Sequence, residues 1–414
     1  MAKILNKRGT RSEINSAATA NGLNAGEVYL ITDENRIAMG TSANTYESYA
    51  KESEAGGGGG GTSPTVALSI TAANLSVNAV YTRIPPRDYE INGTVIAALS
   101  TDKWTNSIVH NDGTITSLSF NDLTGISGSL QPSYMNALTT LLFPELKFVE
   151  SSIQPNAMAV LTSLSFPKLV VIGNTFQPSS MASLTSISLP SLSVVGLNFV
   201  LSAFFALTTV SVPNLITIGG NFNSTSVSIL TTLYFPSLIT IGQNFSVGSM
   251  SSLTTLTFPS LTVVGNSFTI APSSAITTFS FPNLTTIGGI FSISSMTSLT
   301  SALFSAIERI ATNVTSGNAI SITSSTGSLT TFALPTTLKQ VGNGGGTIVI
   351  TSAALNQSSV DNILVRLAAL NGTNGTVAFS NRVVTITGTS STPSATGLAA
   401  KSTLVSRGCT VTHN

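Results

Sequence analysis

The sequence predicts a mainly β protein built around a β solenoid of 23-residue units. Three observations predict this fold class: a proline recurs at a fixed period, an apolar frame recurs with it, and charge almost disappears from the same region. Asp, Glu, Lys and Arg make up 8% of the 414 residues, against about a quarter in ordinary globular chains. A unit this short cannot bury its own apolar face, so such a period is typical of stacked repeats.

The prolines mark the repeat most clearly, because each lies one full period after the one before it. They are Pro144, Pro167, Pro190, Pro213, Pro236, Pro259 and Pro282. The apolar frame continues one unit earlier, at Asn121, and one unit later, at Ser305, so that nine units are visible. A further, irregular unit (329–342) follows a seven-residue insertion. The solenoid is therefore predicted to span residues 115–345.

Each unit has the residues that one turn of a solenoid needs. The pattern Leu-x-x-Leu-x-Phe sends alternate side chains of a strand inward, and the following proline suits the end of that strand because it lacks a backbone donor. A recurring glycine is expected to supply either a positive φ or a close backbone approach at the next corner. These glycines are Gly173, Gly196, Gly219, Gly242, Gly265 and Gly288. One phenylalanine per turn is expected to stack inside the rod, at Phe176, Phe199, Phe222, Phe245, Phe268 and Phe291.

The regions outside the repeat differ in composition, and they suggest four further segments. Residues 1–54 hold 13 of the 33 charged residues and read as a small N-terminal module, and 55–62, with six consecutive glycines, read as a flexible hinge. Residues 63–114 carry strand-like runs and are predicted to form an N-terminal cap. Residues 346–414 are predicted to form an α/β C-terminal cap. Helical spacing there joins Val360, Ile363, Leu364, Leu367 and Leu370 before Gly372, and a second helix ends at Gly408 before a last strand.

Composition also excludes several classes of function. A net charge of +1 gives no electrostatic reason to expect nucleic acid or an anionic membrane as partner. The single cysteine, Cys409, excludes an intramolecular disulfide and a multi-thiolate zinc site. The N-terminus has no apolar run of signal-peptide length, and no stretch reaches the roughly twenty apolar residues of a membrane span. We therefore expect synthesis in a cytoplasm, no membrane insertion and no cofactor.

The unit LTSLSFPKLVVIGNTF (161–176) resembles the 23-residue leucine-rich repeats of BspA-like bacterial surface proteins. FPNLTTIGGIFSIS (281–294) is similar to repeats of receptor-L-type domains. These resemblances cover about 115–345 and imply a right-handed leucine-rich-repeat-like solenoid, without implying a particular role.

The segment 23–54 resembles the small N-terminal modules of phage tail fibres and of neck or baseplate appendages. The matching positions are Gly26, Glu27, Tyr29, Thr32, Asp33, Arg36 and Gly40. The C-terminal segment is also similar to endings of phage-encoded repeat proteins. The resemblance implies a homotrimeric fibre that is located in the virion tail, attached to baseplate or tail proteins through residues 1–54, and directed at a host surface glycan or protein.

Catalysis finds little support in the sequence. The long uninterrupted stretch from 169 to 307 contains no Asp, Glu, Lys, Arg or His, and acid–base chemistry needs titratable groups. The two histidines, His110 and His413, lie in different segments and are interpreted as solvated surface residues. Asp122 and Glu145 are one period apart, at about the separation of a retaining glycosidase pair. We favour the alternative that Lys168, next in the same column, neutralises this end of the rod.

Threonine also recurs once per unit, and its role has two interpretations. The column is Thr116, Thr139, Thr162, Thr185, Thr208, Thr231, Thr254, Thr277 and Thr300. A flat threonine array could bind ice, whereas a hydroxyl ladder at a strand corner would bond to neighbouring backbone groups. We favour the ladder, because the preceding leucine points inward and leaves little room for a flat face.

The candidate receptor-binding residues are Ser211, Tyr234, Thr257 and Ser280, in an outer column of neutral side chains. Hydroxyls beside one aromatic ring suit sugar recognition, although the same residues could merely keep a β surface soluble. The sequence therefore favours a phage tail fibre that recognises its host without catalysis. Three alternatives remain open: a BspA-like bacterial surface adhesin, an ice-binding solenoid and a tailspike glycan depolymerase.

Overall fold

The computed structural model describes residues 107–323 and 328–414, together with the backbone of six short strands before residue 107. The chain divides into two compact units, Met1–Thr82 and Arg83–Asn414. The predicted hinge, 55–62, and most of the predicted N-terminal cap lie outside the described residues.

The first unit contains a four-stranded sheet formed by Lys7–Gly9, Val28–Ile31, Arg36–Ser42 and Thr45–Ser48. The first two strands are parallel, and the other two pairings are antiparallel. Val28 pairs with Met39 and Ile31 with Arg36, so the strands that carry Tyr29 and Arg36 form a hairpin. Gly26, Glu27, Thr32 and Asp33 lie outside the described residues.

The second unit is a β solenoid, which confirms the predicted mainly β repeat architecture. Each turn contributes short parallel strands to up to three ladders, and successive turns of the regular repeat pair one sequence period apart, as in Val171↔Val194↔Thr217. The first ladder contains Val95–Ile96, Ser117–Ser119, Thr140–Leu142, Ser163–Ser165, Ser186–Ser188, Thr209–Ser211, Thr232–Tyr234, Thr255–Thr257, Ser301–Leu303 and Thr331–Ala333.

The second ladder is one continuous sheet of eleven strands. Its strands are Trp104–Thr105, Gly125–Ile126, Phe148–Val149, Val171–Ile172, Val194–Val195, Thr217–Ile218, Thr240–Ile241, Val263–Val264, Thr286–Ile287, Arg309–Ile310 and Gln340–Val341.

The third ladder begins with Ile108–His110 and Leu130–Pro132 and continues through single bridges at Ile153 and Phe176. It then forms a nine-stranded sheet. The strands of this sheet are Phe199–Phe204, Phe222–Val227, Phe245–Gly248, Phe268–Ile270, Phe291–Ser294, Asn318–Thr323, Thr347–Ala353, Val383–Gly388 and Thr410–His413. Because strands before 115 and after 345 join these ladders, stacking extends past both ends of the regular repeat.

The core contains two columns of phenylalanine that interlock. The predicted column is confirmed: neighbouring rings such as Phe245 and Phe268 stack with centroids 4.7 Å apart, and all six side chains are buried. A second column, with Phe235, Phe258 and Phe281, stacks alongside and meets the first edge-on, as at Phe258 and Phe245, 5.2 Å apart. Offset and edge-to-face contacts are the favoured aromatic geometries, so both columns stabilise the stacking of turns.

The recurring glycines serve close approach rather than positive φ. A Cβ on Gly219 would lie 2.1 Å from the carbonyl oxygen of Gly196 on the preceding turn. Gly219 itself does not have a positive φ.

The left-handed corner lies elsewhere in the turn, at residues other than glycine, with φ between 52° and 58° in most units. These residues are Tyr134, Ala157, Ser180, Ala203, Ser226, Ser249 and Ser295. Pro272 occupies the same position in one unit, and its ring fixes φ at a negative value. That turn therefore departs from its neighbours.

The C-terminal segment contains both predicted helices, α1 (Gln357–Ala369) and α2 (Ala395–Ser406). Asn356 and Ser394 cap their N-termini, and Gly408 follows α2 with φ +78°. Two side chains of α1 accept hydrogen bonds from the last strand of the first ladder: Ser359 Oγ from the Phe332 N–H (3.2 Å) and Asn362 Oδ1 from the Leu334 N–H (2.7 Å). These backbone donors would otherwise point at a next turn, so α1 satisfies the end of this ladder.

Candidate functional site

The outer hydroxyl row is the most regular uncharged surface feature that the sequence predicted as a site. It consists of the last residue of each first-ladder strand and its equivalents: Ser165, Ser188, Ser211, Tyr234, Thr257 and Ser280. The middle residue is buried in most of these strands, as at Leu233 and Leu256, because successive side chains of a strand alternate between its faces. Val210, in the strand that carries Ser211, is only partly buried. Tyr234 is 49% exposed.

The structure divides the four predicted residues into two groups. Tyr234 pairs with Thr257, and Thr257 bridges to Ser280, so these three lie side by side on consecutive turns. Ser211 pairs instead with Ser188, in a separate three-stranded sheet. The break between Ser211 and Tyr234 leaves the aromatic ring at the edge of its group. Sequence spacing predicts a common column and gives no signal of this break.

Part of the threonine column forms the predicted hydroxyl ladder. Thr185 Oγ1 donates to the Thr162 carbonyl (2.9 Å) and Thr208 Oγ1 to the Thr185 carbonyl (3.1 Å). The same bond recurs at Thr139, Thr254 and Thr330. Because these hydroxyl protons are committed to the preceding turn, the column offers less donor capacity to ordered water than its exposure suggests.

The acidic pair is accompanied by a neighbouring cation. Lys168 Nζ lies 2.5 Å from Glu145 Oε1, and both side chains are substantially exposed. This ion pair is the arrangement that the sequence favoured over a hydrolytic site. An exposed carboxylate paired with lysine lacks the apolar surroundings of a buried catalytic acid.

Polar side chains also form ladders beside the third-ladder strands, and these ladders were not predicted from the sequence. Asn198 Oδ1 accepts from the N–H of Asn221 (3.0 Å) and from its side-chain amide (2.7 Å). Asn221 Oδ1 likewise accepts from the N–H of Asn244 (3.1 Å) and from the side-chain amide of Asn244 (2.8 Å). Gln131 and Gln154 form a similar bond on the outside of the same ladder (2.6 Å). The recurrence of Asn once per period, just before a phenylalanine, was the available signal.

A shallow groove of about 300 Å³ opens where Pro272 replaces the left-handed corner. It is lined by Ser249, Ser251, Ser273, Ser274, Ser295 and Thr297 together with this proline. Ser273 and Ser274 donate their hydroxyls to the carbonyls of Met250 and Ser251 on the preceding turn. The lining is therefore engaged in turn-to-turn bonding.

One charged side chain is buried in the C-terminal segment. Arg382 is 5% exposed, donates to the Val341 carbonyl, and lies with its guanidinium carbon 4.8 Å from the centre of the Phe379 ring. Desolvation lowers the pKa of Arg382, and the nearby Cys409 thiol acts in the opposite direction. Arg382 thereby joins the last second-ladder strand to the C-terminal strands.

Among residues 107–323 and 328–414, no three His, Cys, Asp or Glu side chains come together as metal ligands would. Neither helix in the described part of the chain has the length and apolarity that a bilayer crossing requires. No family model, curated protein sequence or solved structure matches this chain. The geometry therefore supports a fold class, a β solenoid whose central turns (169–307) carry no charged residue.

Proposed function

We propose that the chain is a phage tail fibre that recognises and adheres to a host surface without catalysis. The observation that carries this proposal is the neutral face on which Tyr234, Thr257 and Ser280 lie side by side. An exposed aromatic ring can stack on an apolar sugar face while hydroxyl groups exchange hydrogen bonds with sugar hydroxyls. Because no charged residue occurs from 169 to 307, a neutral surface glycan suits this face better than an anionic one.

The proposed mechanism is adhesion by many weak contacts. Each copy presents a modest neutral face, and several copies on one particle convert later binding events into intramolecular ones. In this proposal the solenoid is right-handed and leucine-rich-repeat-like, and α1 and α2 belong to an α/β C-terminal cap. Residues 1–54 bind baseplate or tail proteins. The fibre is a homotrimer in the virion tail. The rod then serves as both spacer and contact surface.

The first experiment asks where the chain is found and how it assembles. Proteomic analysis of purified virions is expected to detect the chain, and electrophoresis without heating is expected to show a trimer that heat converts to monomer. A monomer that is absent from particles would overturn the proposal. The same chain exposed on bacterial cells would favour the second candidate, a surface adhesin, for which the neutral face would serve equally.

The second experiment tests the face itself. Tyr234→Ala in the full chain should weaken binding to host cells roughly tenfold, which corresponds to about 1.4 kcal/mol. Phe205→Ala is the matched control, because Phe205 is 65% exposed and lies outside the outer hydroxyl row. Equal binding by wild type and Tyr234→Ala would remove this face from recognition.

A further inference from the structure

The second ladder presents an outward strip that the proposed function does not use. In each of eight turns, this second-ladder strip consists of the residue just before the second-ladder strand and the first residue of that strand. It runs from Lys147 and Phe148 to Glu308 and Arg309. Ile216 and Ile239, on adjacent turns at its centre, are 43% and 42% exposed. Between the two charged ends, the strip holds only Val, Ile, Ser and Thr. An apolar centre with a charged rim is the usual composition of a protein–protein interface.

The strip is regular over its whole length. Each strand pairs with the equivalent strand of the next turn, without a register shift, from Phe148↔Val171 to Thr286↔Arg309. At about 4.8 Å per turn, the eight rows span about 34 Å. Lys147 lies three turns before Ile216, and Glu308 lies three turns after Ile239. The charges are therefore placed symmetrically about the point midway between the two isoleucines.

We propose that this strip binds a second copy of the chain in antiparallel orientation, about a two-fold axis between Ile216 and Ile239. In this arrangement Ile216 of each copy meets Ile239 of the other. Lys147 then faces the opposite copy's Glu308, and Phe148 faces its Arg309. A two-fold contact uses the same patch on both copies, and this strip complements itself only when reversed.

The charge pattern selects the antiparallel arrangement over a parallel one. Two strips in parallel register would place Lys147 against Lys147 and Glu308 against Glu308, and like charges disfavour such contacts. In the reversed arrangement each end gains one ion pair. Arg309, which also donates to the Gln340 side-chain oxygen (2.9 Å), comes close to the ring of Phe148 of the opposite copy. Glu308 Oε2 lies 2.8 Å from Lys339 Nζ, and the Glu308 side chain is 38% exposed. Its carboxylate is therefore still accessible to a second cation.

The size of the strip sets the strength of the contact. A width of about 10 Å over its length gives roughly 350 Å² per copy, which belongs to the weak, transient class of interfaces. The association is therefore expected to depend on concentration. Because a two-fold contact joins chains in pairs, it is separate from any three-fold contact. The inference does not rest on the proposed function.

Cysteine cross-linking tests the orientation. Ser193 and Thr262 lie one turn outside the two isoleucines, so position 193 of one copy faces position 262 of the other. A mixture of full-length Ser193→Cys and Thr262→Cys proteins should form a disulfide-linked dimer under mild oxidation. Each variant alone should not, because its two cysteines would lie about three turns apart, roughly 14 Å, and disulfides need Cα atoms within about 7 Å. The native Cys409 is buried.

A dimer from either variant alone would indicate parallel packing and overturn the proposal, as would the absence of cross-linking in the mixture. Sedimentation analysis of the unmodified chain gives an independent measurement, with dimers expected at the highest concentrations. Ile216→Asp should weaken this association at least tenfold, whereas Ile229→Asp, at an equally exposed position (42%) outside the strip, should leave it unchanged. A chain that stays monomeric at every concentration would exclude the contact.

Discussion

At the scale of single residues, the solenoid depends on positions where a side chain has no room. The column of glycines is such a position, because from Gly196 to Gly288 each glycine of the column lies against the carbonyl group of the glycine one turn earlier. The backbones of neighbouring turns approach so closely there that even a methyl group would separate them. In these central turns the close approach therefore depends on the absence of a side chain.

Gly219→Ala tests this constraint. The added Cβ would lie 2.1 Å from the Gly196 carbonyl oxygen, so we expect a loss of about 3 kcal/mol in the free energy of unfolding, at the upper end for overpacking. Chemical denaturation followed by circular dichroism measures this loss. Gly113→Ala is the control, because its new Cβ would meet its nearest neighbour at 3.4 Å and should cost about 0.5 kcal/mol or less. Equal stability of the two variants would contradict the close-approach explanation.

At the scale of elements, side-chain ladders stabilise neighbouring turns where the short strands supply few backbone bonds. Second-ladder strands contain two residues each, and the phenylalanine columns and asparagine ladder add contacts at the same spacing. The asparagine ladder also satisfies backbone N–H groups that lie just before the third-ladder strands. An unsatisfied buried donor costs about 1–3 kcal/mol, so this ladder contributes more than its exposure suggests.

Asn221→Ala should therefore destabilise the solenoid by about 1–3 kcal/mol, since the Asn244 N–H loses its acceptor at 3.1 Å. Asn221→Ser is expected to fall between this variant and wild type, because Ser267 in the same column accepts from the Ile290 N–H (3.3 Å). Urea unfolding of both variants provides the measurement. Ser246→Ala, a half-buried position in the third ladder, serves as control, and a loss equal to that of Asn221→Ala would argue against the ladder.

At the scale of the whole molecule, the central turns gain stability without ionisable groups. Stability changes with pH only where the folded and unfolded states bind different numbers of protons. Residues 169 to 307 carry no Asp, Glu, Lys, Arg or His. The central turns therefore have no group that could couple folding to pH in the neutral range.

The free energies of local opening of these turns at pH 6 and at pH 9 should therefore differ by no more than about 1 kcal/mol. A shift of one pKa by one unit would change the free energy by more than this. Peptide-resolved hydrogen exchange, corrected for the intrinsic pH dependence of exchange, measures them. A larger change in peptides from 185–300 would show that ionisable groups outside the uncharged region stabilise its turns.

The sequence by itself determined the period, the core and the helices. Leu256, Phe258 and Phe268 are buried as their spacing predicts, because burial on a stacked turn follows local alternation and repeats with the chain. Helices α1 and α2 were predictable for the same reason, since apolar spacing and caps are local signals. The predicted hydroxyl ladder likewise needed only the recurrence of Thr and the presence of a neighbouring turn.

Only the tertiary structure decided how turns meet. It showed that Gly219 lies at a close approach between the backbones of neighbouring turns, and that residues such as Ser226 adopt the left-handed backbone conformation at the corner. It also interrupted the strand pairing between Ser211 and Tyr234, and it placed Ile216 and Ile239 on an exposed outward strip. These features depend on distances between residues that lie a full period or more apart in the chain. Sequence spacing indicates which residues share a column, whereas the stacking of complete turns fixes which columns touch, which stay exposed and where a ladder breaks.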